Sequence, residues 1–201
     1  MMTNQTLGQY REDLGERREF LTLAFSPLNA PLQSRWRNNG LSADFLGEYV
    51  VTFLPSTGVV AEAWQKEIRH SVTYIANELL ENSMKFHERN VDIPIRIHLE
   101  LTRDHIMVSS SNGVNLEQAE RYRSFVGHIV EEDPGELLVK QLEANGADHN
   151  SNTSALGLLT IISDYHGEVG WQFEVDKANP EILTVTTRVV LPLKNLTGEQ
   201  A

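Results

Sequence analysis

Between Trp64 and Phe86 the chain repeats apolar residues at the spacing of a helix. At about 100° per residue, Trp64, Ile68, Val72, Ile75, Leu79 and Phe86 share one arc less than about 90° wide. The pattern predicts a helix from Val59 to His87 with one face on a core, and the rest of the chain must be arranged around it. Asn82 falls inside the apolar arc, Glu78 lies one turn earlier at its edge, and Lys85 follows three residues later. A carboxylate, a carboxamide and an ammonium therefore line one side of the seam. An inward carboxamide needs a partner, because burying an amide unsatisfied costs about 1–3 kcal/mol. Two readings stay open at this point. Asn82 meets a backbone group while Glu78 and Lys85 form a solvated flank, or Glu78 is a proton acceptor, Asn82 lends its oxygen to a hard cation and Lys85 holds phosphate.

Upstream, residues 1–19 are polar and charged and read as a tail or a short surface helix. Phe20–Phe25 is a short apolar run suited to a strand, closed by Ser26-Pro27. A helix is expected from Pro31, with Trp36 on its apolar side and a stop at Asn38-Asn39-Gly40. Ser42 then caps a second helix carrying Phe45, Leu46, Tyr49, Val50 and Phe53, which ends before Pro55. So much aromatic surface either covers a sheet or makes a dimer.

Downstream, Ile93, Ile95, Ile97, Leu99 and Leu101 alternate with polar residues, the period of a half-buried strand, and Pro94 puts that strand near an edge or at its start. Thr102-Arg103-Asp104 turns the chain, His105–Ser110 returns as a strand, and Ser111-Asn112-Gly113 reads as its break into a loop. Helices are expected over Leu116–Val130 and Glu136–Glu143, separated by Asp133-Pro134-Gly135. The polar segment Asn145–Ser154 is expected to be mobile, and Thr153 or Ser154 caps a helix over Ala155–Tyr165 that Gly167 ends. Gly157 in its first turn costs about 1 kcal/mol against Ala. It marks either a close approach to an anion at the helix N-terminus or a tight helix–sheet contact. Glu168–Val175 and Ile182–Leu191 are two more strands. Helices, strand pair, helices, strand pair in that order favour an α+β sandwich with the helices on one face of a mostly antiparallel sheet.

Composition removes several classes of function. Seventeen Lys and Arg against 28 Asp and Glu give a net charge of −11, with no basic run, so nucleic acid is not an expected partner. There is no apolar run long enough to span a membrane and no signal-peptide pattern, so the expected location is cytoplasmic. The absence of Cys excludes disulfides, thiol catalysis and Cys-based zinc sites, and no two of the seven His have the spacing of a helical metal site.

Three stretches, in order, resemble the boxes of the histidine-kinase-like ATPase superfamily (the gyrase, Hsp90, histidine kinase and MutL type). Asn77–Phe86 resembles the first box, with Glu four residues before Asn and a basic residue after it. Val108–Val114 resembles the second, a strand running into Asp-x-Gly-x-Gly, and Ser154–Ile162 resembles the third, Gly-x-Gly-Leu opening a helix. The match covers about residues 58–192, and within the superfamily it is most similar to the small serine-kinase and anti-sigma-factor-type regulators of bacterial partner switching. The segment Arg35–Phe45 also resembles the lead-in of an uncharacterised bacterial regulator family in that group.

The resemblance implies a two-layer sandwich of helices on a mixed sheet. Its parts would be a tail and helical lead-in (1–57), an ATPase-like domain (58–192) and a C-terminal tail (193–201). It implies Mg²⁺ and ATP as cofactors, with Glu78 accepting a proton from the attacking hydroxyl or water, Asn82 coordinating Mg²⁺ and Lys85 facing a phosphate. Ser111, Asn112, Gly113, Ser154, Leu156, Gly157 and Leu158 would complete the nucleotide site. The second box departs from the pattern, with Ser111 where the adenine-reading Asp stands and Asn115 at the second Gly, and the third has Ala155 for its first Gly. The expected function is a kinase acting on Ser or Thr of a small STAS-like or anti-sigma-antagonist partner, with a homodimer through the N-terminal helices. The alternative is a non-catalytic protein-binding regulator whose pocket is empty or holds another ligand. A hydrolase that only turns over ATP ranks below both, since no separate transducer domain is indicated.

Overall fold

The apolar alternation of the strand segments builds a sheet with one greasy face, and the helices cover that face. The computed structural model of the chain describes residues 4–13, 15–16, 19–26, 36–55, 59–88, 91–147, 153–177 and 179–193. Along these run β1 (Gln5–Gly8), β2 (Glu19–Phe25), α1 (Trp36–Val51), α2 (Val59–Phe86), β3 (Ile95–Leu101) and β4 (His105–Asn115). They are followed by α3 (Leu116–Glu131), α4 (Pro134–Ala147), α5 (Thr153–Ser163), β5 (Glu168–Val175) and β6 (Ile182–Pro192). The strands form one six-stranded sheet in the order β1-β5-β6-β4-β3-β2. All five pairings are antiparallel, so the chain is an α+β two-layer sandwich whose sheet, among the described residues, is not the mixed sheet expected.

Register fixes which residues face the helices. Val108 and Ser110 of β4 pair with Val189 and Thr187 of β6, which in turn pair with Val169 and Trp171 of β5. These positions join Ile97, Leu99, Phe173 and Val185 in one core with Ala43, Leu46 and Val50 of α1, Ile68, Val72, Ile75 and Leu79 of α2, and Leu158 and Ile161 of α5. Tyr122 of α3 reaches the same face, with its hydroxyl 3.3 Å from Thr187 Oγ1 and accepting from Trp171 Nε1 at 3.3 Å. The opposite face is largely polar, with Thr22, His98, Ser109, Ser111 and Arg188 on it by alternation.

Five expectations from the sequence are corrected. Residues 5–8 form the edge strand β1 rather than a tail or helix, because Leu7 is drawn onto the core and Gly8, at φ +66°, leaves no room for a Cβ beside Val169 O. The expected stop at Asn38-Asn39-Gly40 does not occur. One helix, α1, runs from Trp36 to Val51, since Ala43, Leu46 and Val50 all bury against α2 and packing outweighs the local cost of Gly40. The residues from Pro31 to Arg35 lie outside the described ones. Strand β4 does not break at Ser111 but continues to Asn115, pairing Asn112 with Val185 and Gly113 with Thr184. The stop at Asp133-Pro134-Gly135 is instead the start of α4, Pro134 being tolerated where a helix has no N–H to lose. The expected mobile stretch from Asn145 overlaps the end of α4, and 148–152 lie outside the described residues.

Candidate functional site

Helix α2 has two flanks. On one, Ala43, Leu46 and Val50 of α1 bury beside it, and Gly47 brings the backbones together: a Cβ there would stand 2.9 Å from Arg69 O. On the other flank lies α5. There the residues of α2 repeat every four: His70 and Tyr74 meet Tyr165, with Tyr74 stacked on it at 5.0 Å between ring centres. One turn on, Glu78 lies directly against Gly157, where an added Cβ would overlap its carboxylate and stand 2.6 Å from its Cδ. One turn further, Asn82 comes level with the first turn of α5, because the two helices run in opposite directions along this seam.

The electrostatics of the seam differ from its surroundings. Burial first, and the neighbouring Glu81 second, push the Glu78 carboxyl above its ordinary value of 4.5, which makes it a better proton acceptor near neutral pH. Glu81 accepts from Asn77 Nδ2 at 2.9 Å. Asn82 is 7% exposed, and its Nδ2 is buried with no hydrogen-bond partner among the described residues. Lys85 stands exposed at the rim, its ammonium 5.4 Å from the Phe86 ring centre.

Beneath α2, strand β4 forms the floor. Ser83 Oγ donates to Ser110 Oγ at 2.8 Å, and Ser110 Oγ donates to Leu79 O at 3.2 Å. Further along, Glu88 N donates to Gly113 O at 2.8 Å. Ser110 therefore faces the helices, and by alternation so does Asn112, while Ser111 faces the other side of the sheet. The unbroken strand thus separates the two polar residues of the second box. Gly113 shares Ser111's side, packed under Ile93 and Val91. Asn115 caps α3 in a capping box with Gln118 and donates from Nδ2 to Glu88 Oε2 at 2.7 Å, which gives this position a reason to be Asn.

Of the site residues expected from the sequence, Glu78 and Gly157 are brought into contact, with Asn82 one turn along α2 from Glu78. Leu158 is fully buried core and Leu156 is partly exposed. Three participants were not picked out by sequence. Tyr74 sits on the four-residue repeat leading to Glu78, while Ser83 and Ser110 tie helix to floor. The i, i+4, i+8 spacing of Tyr74, Glu78 and Asn82 was the available signal.

For Mg·ATP the fit is divided. The phosphate end offers suitable groups: an unpartnered buried amide and a desolvated carboxylate stand one turn apart on α2, and the carboxylate meets the first half of α5 at Gly157. The base end, as the resemblance drew it, does not, because Ser111 points away from the helix layer. Among the described residues no helix is long and apolar enough to cross a membrane, and no group of three or more His, Asp and Glu gathers as a metal site.

No protein-family model matches the chain, and no curated protein matches it either. Among solved structures it is similar to a chain from the crystal structure of the SiaB–SiaC complex of Pseudomonas aeruginosa. The TM-score is 0.56 and the identity 15%, over 85% of this chain and 89% of that one. The two chains share a fold.

Proposed function

We propose that the protein is a signalling regulator of the partner-switching type, on a histidine-kinase-like ATPase framework, that binds a small STAS-like or anti-sigma-antagonist protein in the cytoplasm and phosphorylates it on Ser or Thr. The observation that carries this reading is the desolvated Glu78 carboxylate seated on Gly157, one turn from the buried, unpartnered Asn82 amide. Bound Mg·ATP supplies the phosphoryl group and leaves as ADP. In this reading Glu78 would take the proton of the attacking hydroxyl, Asn82 would hold Mg²⁺, the first turn of α5 would present backbone N–H groups to phosphate, and Lys85 would add positive charge at the rim. A protein partner is supported by the shared fold with a chain crystallised in a two-protein complex. A homodimer through α1 belongs to the same reading, since Leu41 and Phe45 on that helix and Phe53 in the turn after it are exposed, and the rings of Phe45, Tyr49 and Phe53 contact one another in succession.

The second reading, a non-catalytic regulator, is favoured by the course of β4 through the second box and the outward Ser111. Titration calorimetry with Mg·ATP, and transfer of label from γ-labelled ATP to the protein that copurifies with the chain, separate the two. The kinase reading expects binding, and a loss of transfer of about 100-fold or more in Glu78→Ala with binding retained. No heat at millimolar Mg·ATP overturns it. The non-catalytic reading then expects partner capture unchanged by Mg·ATP and by Glu78→Ala.

A further inference from the structure

The corner where α3 gives way to α4 stands near the β1 edge of the sheet and leaves an open cleft of about 190 Å³. Its walls are Ile129 and Val130 at the end of α3, Ile162 in the last turn of α5, Val169 and Trp171 on β5, and Gly8 on β1. Gly8 leaves the indole edge uncovered, since a Cβ there would stand 3.0 Å from Trp171 Cζ3. Trp171 Nε1 already donates to Tyr122 Oη, so the indole offers the cleft apolar surface. Ile162 lies five residues after Gly157, hence about 140° round α5, and the cleft is on a different side of that helix from the seam with α2. Val130 is 46% exposed although it forms part of a wall, an apolar side chain left half in water. An apolar cavity of about 150 Å³ takes up benzene. The cleft therefore has room for one side chain the size of Leu, Ile or Phe.

The rim is acidic. Glu132 lines the cleft, and the exposed Glu131, Asp133 and Glu136 stand beside it in the α3–α4 corner. Asp133 and Glu136 suit the start of α4, where Asp133 Oδ1 accepts from Glu136 N at 2.9 Å. Glu131 and Glu132 have no such reason, because they stand at the C-terminus of α3, the end of a helix that favours cations. Lys140 meets Glu132 at 3.4 Å, and the corner still holds more negative than positive charge. Four carboxylates spread along a corner call for a ligand with several cations, longer than the single group that the cleft can enclose.

We infer that this cleft is a docking site, separate from the α2–α5 seam, for a basic segment of a partner protein. The segment seats one apolar side chain against Trp171 and lays Lys or Arg on the carboxylates of the α3–α4 corner. Burial of the apolar group fixes the position, while the charges, with the chain's net −11 behind them, speed the approach and are screened by salt. The inference does not depend on nucleotide binding.

The test is fluorescence anisotropy on the full chain, without nucleotide, using a labelled, end-capped peptide of sequence Lys-Lys-Leu-Lys-Lys and the same peptide with Ser for Leu. The variants are Val130→Arg, which blocks the mouth from an exposed position, and Glu132→Gln, each checked by its melting curve. The expected result is that the Leu peptide binds about 10-fold or more tighter than the Ser peptide. Val130→Arg should weaken the Leu peptide about 10-fold or more, and Glu132→Gln about 3-fold. Equal binding of the two peptides overturns the inference in favour of unspecific charge attraction. Binding that Val130→Arg leaves unchanged overturns it by placing the peptide elsewhere. Hexylammonium that displaces the peptide and matches its affinity overturns the protein segment in favour of a small cationic amphiphile. No binding of the Leu peptide at millimolar concentration overturns the site altogether.

Discussion

The two flanks of α2 are each set by a glycine, and the glycines do opposite things. Gly47 lets α1 come close enough that its missing side chain is replaced by the backbone and Thr73 of α2, over an apolar seam of Ala43, Leu46 and Val50. Gly157 lets α5 come equally close, but what fills its place is the end of the Glu78 side chain. The first contact spends its closeness on packing and the second on holding a carboxylate out of water. The comparison separates the part of the helix that packs apolar surface from the part that buries a carboxylate.

The contrast is broken most forcefully at Gly47. A methyl there meets the Arg69 carbonyl, which the helix cannot move, so Gly47→Ala should destabilise the chain by about 2–3 kcal/mol, read as a shift in the urea midpoint. At Gly157 the obstructing atoms end a flexible side chain. Gly157→Ala should cost less than about 1 kcal/mol in the same titration, yet, on the proposed kinase reading, reduce phosphoryl transfer about 10-fold or more by displacing Glu78. Equal destabilisation by the two substitutions would show that the α5 flank is ordinary packing.

The smallest effect is electrostatic. Because the folded chain holds the Glu78 proton more tightly than the unfolded chain, this group's contribution to stability is fully present below about pH 4.5 and is lost as pH rises through the raised folded value. Glu78→Gln should therefore raise the melting temperature by a few degrees at pH 7 and change it little at pH 4. A gain of the same size at both pH values would mean that desolvation of the carboxylate is not the cause.

What the sequence made legible follows the same division. The period of 3.6 from Trp64 to Phe86 gave α2 nearly to its ends, and the alternation at Ile95–Leu101 gave β3, because each writes one buried face directly into residue order. Gly40 and Asn112-Gly113 misled, since both look like breaks and both are carried through by partners distant in sequence: α2 for the first, β6 for the second. The shared flank of Glu78 and Asn82 was legible because a helix keeps residues four apart on one side regardless of context. Which residue of Ser111-Asn112-Gly113 faces inward was not, because a strand changes face at every residue and only its pairing fixes the register.

The sheet order also bears on when the molecule is completed. β1 and β2 precede the other strands in sequence, yet they lie on opposite edges of the sheet, and β1 pairs with β5, which follows all five helices. The chain after β1 crosses Gly170 so closely that a side chain there would strike Tyr10, whose hydroxyl donates to Gln172, 162 positions away. During synthesis β1 has no strand partner until β5 emerges. The opening residues therefore act as a clasp fastened last, across a loop that spans most of the chain, and closing it is expected to be a slow step in folding.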